Sequence, residues 1–487
     1  MENRKLTIIL VLATILVAAG VLRLYDLGEE SLWLDECFTL SYSSRPINLL
    51  VEALKKDVHP IGYYLPQHLL IDYFGTGEIT LRILSVFFGI LSVFLTYVLA
   101  RKIFSWKEGL LAAFFMAISY TSILYSQEAK MYSMFAAFFL LSLYSFIRFL
   151  ERPSYRKVLF FSVSLALLLY THIIGLIILV VYVVFYLFSY VLAKKKLETT
   201  KSFFDKYHFS PGLFLVLLIV FLLYLPWFEI LVDYQLSLLY HFLETKLIEK
   251  VGLNLLPLVV VILILVTFSY FVFLYLILKN KVNLDKFFEK SKGIFSLFSN
   301  DLFLFILTLS FIITDFVVST YFFSSVSIIR FGFFILPLLY ILLSRILLKV
   351  KNNNLALFLF MLFLVSASFE LYTYYKIDSK EQFREAAQYI QNEASPNEVL
   401  FLHRATITKE CFDYYYSGQI EEVRLITPRI DDHLLTNKAQ GKEYAYLLLS
   451  HNKHTKDYFP SRLDSLYKFE DKKEFIGIRI YKYKISE

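Results

Sequence analysis

VLFFSVSLALLLYTHIIGLIILVVYVVFYLFSYVLA, residues 158–193, decides the fold. It runs 36 residues between a basic cluster at Arg152, Arg156 and Lys157 and a second at Lys194 to Lys196. A span needs roughly 20 apolar residues to cross a hydrocarbon core about 30 Å thick. A single helix of this length would reach about 54 Å. Basic clusters mark the cytoplasmic side, so one crossing would also leave one cluster on the wrong face. Two crossings joined by a tight turn satisfy length and charge together. The turn falls at Tyr170-Thr171-His172 to Gly175, which places His172 at the outer face.

Other segments break the same way. Basic clusters also stand at Arg4/Lys5, Arg101/Lys102, Lys279 to Lys292 and Arg345/Lys349/Lys351. Leu302 through Leu348 breaks at Ser324-Ser325-Val326-Ser327, just before Arg330, so Arg330 is expected outside. Between Lys102 and Arg148 the break is Ser126-Gln127-Glu128-Ala129-Lys130, again outside. Between Lys206 and Lys279 the outer loop runs from about Glu229 to Lys250. The expected spans lie near 5–24, 79–100, 109–125, 131–149, 158–172, 174–193, 211–229, 252–278, 302–323, 331–349 and 355–375, about eleven in all. The N-terminus is then cytoplasmic. Arg4 and Lys5 ahead of an apolar run resemble a signal peptide, but no small-x-small cleavage site follows, so an uncleaved first span is expected.

The composition agrees. The chain has 487 residues and is 57% hydrophobic, more apolar surface than a soluble protein of this size could bury. Its 50 Phe and 36 Tyr partly reflect the preference of amphipathic rings for membrane interfaces. The net charge of +7 is spread over short loops, where it sets topology and gives no sign of a nucleic-acid partner. Cys37 and Cys411 fit no metal spacing and form no disulfide framework, although they could pair if both face an oxidising side.

Residues 1–377 therefore form the transmembrane unit, with 25–78 as a long first outer loop. Ile47 to Leu54 and Ile61 to Ile71 are too short to span and read as interfacial helices. From 378 to 487 the character changes. Ser379-x-x-Gln382 reads as a capping box before Phe383, Ala386, Ala387 and Ile390 at helical spacing. Strand-like runs follow at 398–403, 421–427, 444–450 and 475–482. This is a small extracytoplasmic α/β domain, with no catalytic motif of its own.

The topology brings Asp35, Glu36, His59, Glu128, Lys130, His172 and Arg330 to one face of the membrane. Ionisable groups at span ends facing a bundle interior are candidates for function. Each also admits a plain structural role: Glu128 and Lys130 could close a turn, Arg330 could snorkel as an anchor, and His172 could bond within the bundle. Taken together, the set suits a lipid-linked phosphate substrate. Cations would meet the phosphate, and a carboxylate would deprotonate an acceptor hydroxyl.

On these residues the chain resembles the polytopic C-type (GT-C) glycosyltransferases of the protein O-mannosyltransferase and aminoarabinose transferase superfamily, prokaryotic branch. The matching stretches are Leu32-Trp33-Leu34-Asp35-Glu36, His59-Pro60-Ile61-Gly62-Tyr63-Tyr64, Ser126-Gln127-Glu128-Ala129-Lys130-Met131-Tyr132, Tyr170-Thr171-His172, and Arg330-Phe331 with Pro337. Phe383-Arg384-Glu385-Ala386-Ala387 and Phe412-Asp413-Tyr414-Tyr415-Tyr416 follow past the membrane. The resemblance implies a mainly α membrane bundle that moves a hexose or pentose, with inversion, from a polyprenyl-phosphate sugar to a lipid, glycan or protein acceptor. It implies Asp35 as base, supported by Glu36 and Glu128. Arg330, Lys130 and His59 would hold the donor phosphate, and Tyr63, Gln127, Tyr132 and His172 would contact substrate. Two positions depart from the pattern. Lys130 stands where Arg is common, a point charge instead of a fork, and Ile61 replaces a second Pro. A divalent metal is compatible with the histidines and acids, but no two share a ligand spacing on one helix. A competing class is a polytopic transporter or lipid-carrier flippase, which usually shows internal repeats or broken helices near the midplane; the sequence shows neither. A sensor or scaffold is a third, in which the outer-face charges would be dispensable.

Overall fold

A computed structural model describes residues 2–55, 57, 59–151, 154–194, 212–235, 300–301, 304–305, 307–313, 332–403, 405–425, 432–450 and 458–485. The membrane unit opens with α1 (Glu2–Leu24). Three short helices follow in the loop before the next long helix: α2 (Leu34–Ser43), α3 (Ile47–Leu54) and α4 (Tyr64–Phe74). Next come α5 (Glu78–Ile103), α6 (Trp106–Ile118), α7 (Tyr120–Ser126), α8 (Tyr132–Glu151), α9 (Tyr155–Thr171), α10 (Gly175–Lys194) and α11 (Gly212–Ile230). A 3₁₀ turn at Phe333–Ile335 leads into α12 (Leu336–Lys349), and α13 (Asn353–Lys376) follows. Helix α5 packs on α6 and α8, α8 on α9, and α9 on α11. Ring contacts such as Phe146 with Tyr182 and Phe139 with Phe334 fill the interior.

Five described helices are long and apolar enough to cross a membrane, and α6 with α7 make a sixth if the bent pair is one span. Leu6, Ile9, Val17 and Val21 of α1, and Leu357, Phe358, Leu362 and Val365 of α13, are exposed. Apolar surface at that scale is what lipid covers. The chain is a multi-pass membrane protein. The stretch 158–193 is divided, where the turn was expected, into two apolar helices, α9 and α10, parted at 172–174. The expected span 252–278 lies outside the described residues, and 302–323 is described only in part.

The third expected span differs from its reading as one run, 109–125. It breaks at Ser119, whose extended backbone parts α6 from α7 by 63°. The cause lies on α1. The buried Arg23 donates to the α6 carbonyls of Met116 (3.2 Å) and Ala117 (3.0 Å), to Ser122 Oγ (2.7 Å) and to Ser126 Oγ (3.1 Å). It satisfies helix-end carbonyls that would otherwise have no partner in a medium without water.

The C-terminal unit comprises α14 (Phe383–Glu393), β1 (Val399–His403), α15 (Ala405–Tyr415), β2 (Glu421–Leu425), α16 (Asp432–Ala439), β3 (Tyr444–Ser450), α17 (Tyr458–Asp464), β4 (Lys468–Phe475) and β5 (Ile478–Lys484). The sheet order is β2-β1-β3-β5-β4, with β2, β1 and β3 parallel and the last two antiparallel. Two readings are corrected. Strand β4, KFEDKKEF, is exposed along its length and carries no apolar alternation, so nothing in its sequence marks it as the charged edge strand it is. Ser379 does not cap α14. The N-cap is Gln382, while the Ser379 N–H donates to Glu30 Oε1 at 2.7 Å.

The two units share a core. Leu32, Leu40, Ile71, Leu81 and Ala129 from the membrane side pack with Phe383, Ala387, Phe412 and Ile478. Cys37 and Cys411, left open by their spacing, are joined in a disulfide across 374 residues of sequence.

Candidate active site

The site is built on a buried ion pair. Glu36, in the first turn of α2, is fully buried. Arg82 of α5 grips it with both arms: Nε to Oε1 at 2.8 Å and Nη2 to Oε2 at 2.7 Å. The remaining Arg82 donors reach the carbonyls of Leu27 (2.7 Å), Glu30 (3.0 Å) and Ser31 (3.1 Å). Glu36 Oε1 also accepts the Ala129 N–H at 2.9 Å and faces Lys380 Nζ at 3.5 Å. Burial alone would raise the Glu36 pKa. The charges of Arg82 and Lys380 and the bonds from Arg82 and Ala129 outweigh it and bring the value to about 2. Glu36 is thus a fixed anion that ties α2 to the turn carrying Lys130.

Asp35, one residue earlier, is partly exposed. The buried Tyr64 lies within electrostatic reach of Asp35, Asp57, Tyr42 and Tyr132. Asp57 accepts both the backbone N–H of His59 (3.1 Å) and its ring Nδ1–H (2.6 Å), and it is hydrogen-bonded by Tyr42. Burial raises the Asp57 pKa, but His59, those hydrogen bonds and Lys130 together hold it well below the usual carboxylate range. Lys130 lies over the Phe38 ring, 5.8 Å from its centroid. The His59 and His172 rings meet edge to face at 5.6 Å. His172 is buried, and its Nδ1 accepts the Ile174 N–H at 3.1 Å. Burial first, then His59 and Lys130, lower its pKa to about 3 against the pull of Asp57, so its ring is neutral at neutral pH.

His59 reaches this position through a close backbone contact. The Gly62 N–H donates to the Tyr170 carbonyl at the end of α9 (2.8 Å), and a Cβ on Gly62 would overlap that carbonyl. The first loop is thereby docked on the α9–α10 turn that carries His172.

The structure therefore brings Asp35, His59, Lys130, His172 and Tyr132 together and adds Asp57. Sequence reading passed over Asp57, although an acid two residues before a histidine is the spacing of a turn in which the carboxylate accepts the later N–H. Other expected members lie elsewhere. Gln127 is spent on structure: its Nε2 donates to the Arg23 and Tyr25 carbonyls (3.1 and 2.7 Å) and its Oε1 accepts from Tyr374 (2.7 Å). Tyr63 is fully buried, with its hydroxyl on Ser85 Oγ at 2.9 Å. Both side chains are thus engaged in hydrogen bonds within the protein. Glu128 is buried within electrostatic reach of Lys380, Tyr63, Tyr120 and Tyr374. Arg330 lies outside the described residues. Among the described residues, no three His, Cys, Asp or Glu side chains converge as metal ligands would.

A family model, dolichyl-phosphate-mannose-protein mannosyltransferase, matches residues 58–227. Curated protein sequences give no match. Among solved structures, ArnT from Cupriavidus metallidurans bound to undecaprenyl phosphate is 12% identical with a TM-score of 0.56, covering 97% of each chain. The oligosaccharyltransferase AglB from Archaeoglobus fulgidus, in complex with an inhibitory peptide and a dolichol-phosphate, is 12% identical with a TM-score of 0.56. That match covers 99% of this chain and 74% of that one. The chain has the fold these proteins share, the GT-C architecture expected from its sequence.

Proposed function

We propose that this chain is a membrane glycosyltransferase that moves a sugar from a polyprenyl-phosphate carrier to an acceptor hydroxyl or amine on the extracytoplasmic side. The observation that carries the reading is the placement of Asp35. It is partly exposed, next in sequence to the anchored Glu36, and it shares the neighbourhood of Tyr64 with Asp57, which is in turn within electrostatic reach of His59 and Lys130. Asp35 takes the acceptor proton as the acceptor atom attacks the anomeric carbon. The bond from that carbon to the phosphate oxygen breaks, the configuration inverts, and the polyprenyl phosphate leaves. Lys130, His59 and Arg330 neutralise the phosphate charge as it develops. His172, neutral and edge to face with His59, and Tyr132 contact the substrate, and Glu36 holds a fixed charge one residue from Asp35. The lipid phosphates held by ArnT and AglB support the donor class. The Cys37–Cys411 bond supports an outward-facing site, because disulfides persist on the oxidising side of a membrane.

The test is turnover by the purified protein in lipid nanodiscs, given polyprenyl-phosphate sugars. A general base contributes about 10²–10⁴-fold. Asp35→Asn is expected to lose that much in kcat while still binding the donor. Wild-type turnover by Asp35→Asn overturns the assignment, and lipid translocation without glycosidic cleavage overturns the enzyme reading.

A further inference from the structure

We propose that Lys380 and Glu381, the two residues that lead from α13 into the C-terminal unit, are positioning residues for this transfer, holding the base-bearing and phosphate-facing halves of the site in register. The proposal rests on the reading of Asp35 as base.

The two side chains go to opposite halves. Glu381 Oε2 accepts the N–H of Leu34 at 3.1 Å, one residue before Asp35, and its carbonyl accepts from Ser31 Oγ at 2.6 Å. Lys380 Nζ donates to the Gln127 carbonyl at 3.1 Å, at the start of the turn that presents Lys130, and reaches Glu36 Oε1 at 3.5 Å. Both residues are buried. Their backbone has little freedom, because Glu30 Oε1 accepts the N–H groups of Ser379 (2.7 Å) and Lys380 (3.2 Å). The next residue is held by the β4–β5 turn: Gln382 N–H donates to the Ile476 carbonyl and Ile476 N–H to Gln382 Oε1, each at 3.0 Å. In that turn Gly477 has φ +73°, and a Cβ there would stand 2.6 Å from Glu381 Cγ. The hairpin thus leaves room for the Glu381 side chain in this one orientation.

Charge supports the same role. Glu36 and Arg82 cancel as a pair. Burial and the Arg82 charge lower the Lys380 pKa, and Glu36, Glu128 and Glu30 oppose them, so its ammonium is set among three acids. Without it, Glu36 loses one of the two cations that face it and the Gln127 carbonyl loses its donor. The expected consequence is a shift of Lys130 relative to Asp35, and a misplacement of about 1 Å can cost on the order of a hundredfold in rate.

The experiment uses the full chain in nanodiscs and four variants beside wild type and Asp35→Asn. Lys380→Met and Glu381→Ala are expected to lower kcat roughly ten- to a hundredfold, with the donor KM within about twofold. Lys380→Arg and Glu381→Gln, which keep a donor and an acceptor in place, are expected to recover most of the rate. Hydrogen exchange at 33–38 and 128–131 should quicken in the first two variants only. Unchanged kcat and exchange in Glu381→Ala, a variant that leaves the charge group intact, overturns the proposal. So does a Lys380→Met loss that appears wholly as less folded protein at unchanged kcat. If Asp35→Asn turns over normally while the exchange changes are seen, the base assignment falls and the bridging by Lys380 and Glu381 stands.

Discussion

Asp35 and Glu36 carry the same functional group one peptide apart, and their surroundings divide them. Glu36 has no water, so its charge survives only because Arg82, Lys380 and the Ala129 N–H replace solvation. Asp35 keeps solvent contact and room to accept a proton. The adjacency is plain in the sequence. The division is not, because Arg82 and Lys380 are 46 and 344 positions away from Glu36. The linkage has a definite sign. Glu36 titrates near 4.5 when unfolded and about 2 when folded. Its stabilisation is present above pH 4.5 and lost as pH falls towards 2. His172 is neutral in the fold down to about pH 3 but takes a proton near 6.5 when unfolded, so it lowers stability as pH falls from 6.5 towards 3. Thermal unfolding followed across pH should therefore show a decline that starts near 6.5 and steepens below 4.5. His172→Asn should flatten the first limb. Glu36→Gln should remove the second and destabilise the protein at pH 7 by about 3–5 kcal/mol, since it strands Arg82.

At the scale of elements, long apolar periods were legible and breaks imposed from elsewhere were not. The α9–α10 turn follows from length and charge within its own 36 residues. The Ser119 break does not, because the side chain that stabilises it is Arg23, on another helix. An arginine near the end of a first span looks like an interfacial anchor until its five hydrogen bonds are seen. Arg23→Met should leave the Met116 and Ala117 carbonyls without donors, at about 1–3 kcal/mol for each buried group left unsatisfied. Arg23→Lys should recover only part of this, because an ammonium supplies three donors on one atom where the guanidinium spreads five over a plane. Unfolding midpoints of the two variants in matched detergent check the order. Strand β4 escaped notice for a different reason. An edge strand exposed on both faces needs no apolar alternation, and its lysines and acids serve to discourage pairing with other chains.

At the scale of the whole molecule, the C-terminal unit is part of the site's scaffold. Tyr415 accepts the Leu32 N–H through its hydroxyl at 2.7 Å, Arg384 donates to the Glu29 carbonyl at 2.7 Å, and the Cys37–Cys411 bond lands two residues from Asp35. A disulfide closing so long a loop is expected to contribute about 2–4 kcal/mol. Cys37→Ser with Cys411→Ser should lower the unfolding midpoint, and mild reductant should do the same to the wild type and nothing further to the double variant. Local period and charge were enough to read a polytopic bundle, a set of acids, histidines and cations at the ends of its helices, and a small α/β unit after the last span. Packing settled which of those groups meet, that Asp57 lies among them, that Glu36, Gln127 and Tyr63 are held in buried hydrogen bonds, and that Cys37 and Cys411 are joined. The physical reason is that hydrophobic periodicity is written in neighbouring residues. The solvation of a buried charge is supplied by whichever distant side chains the packed helices bring to it.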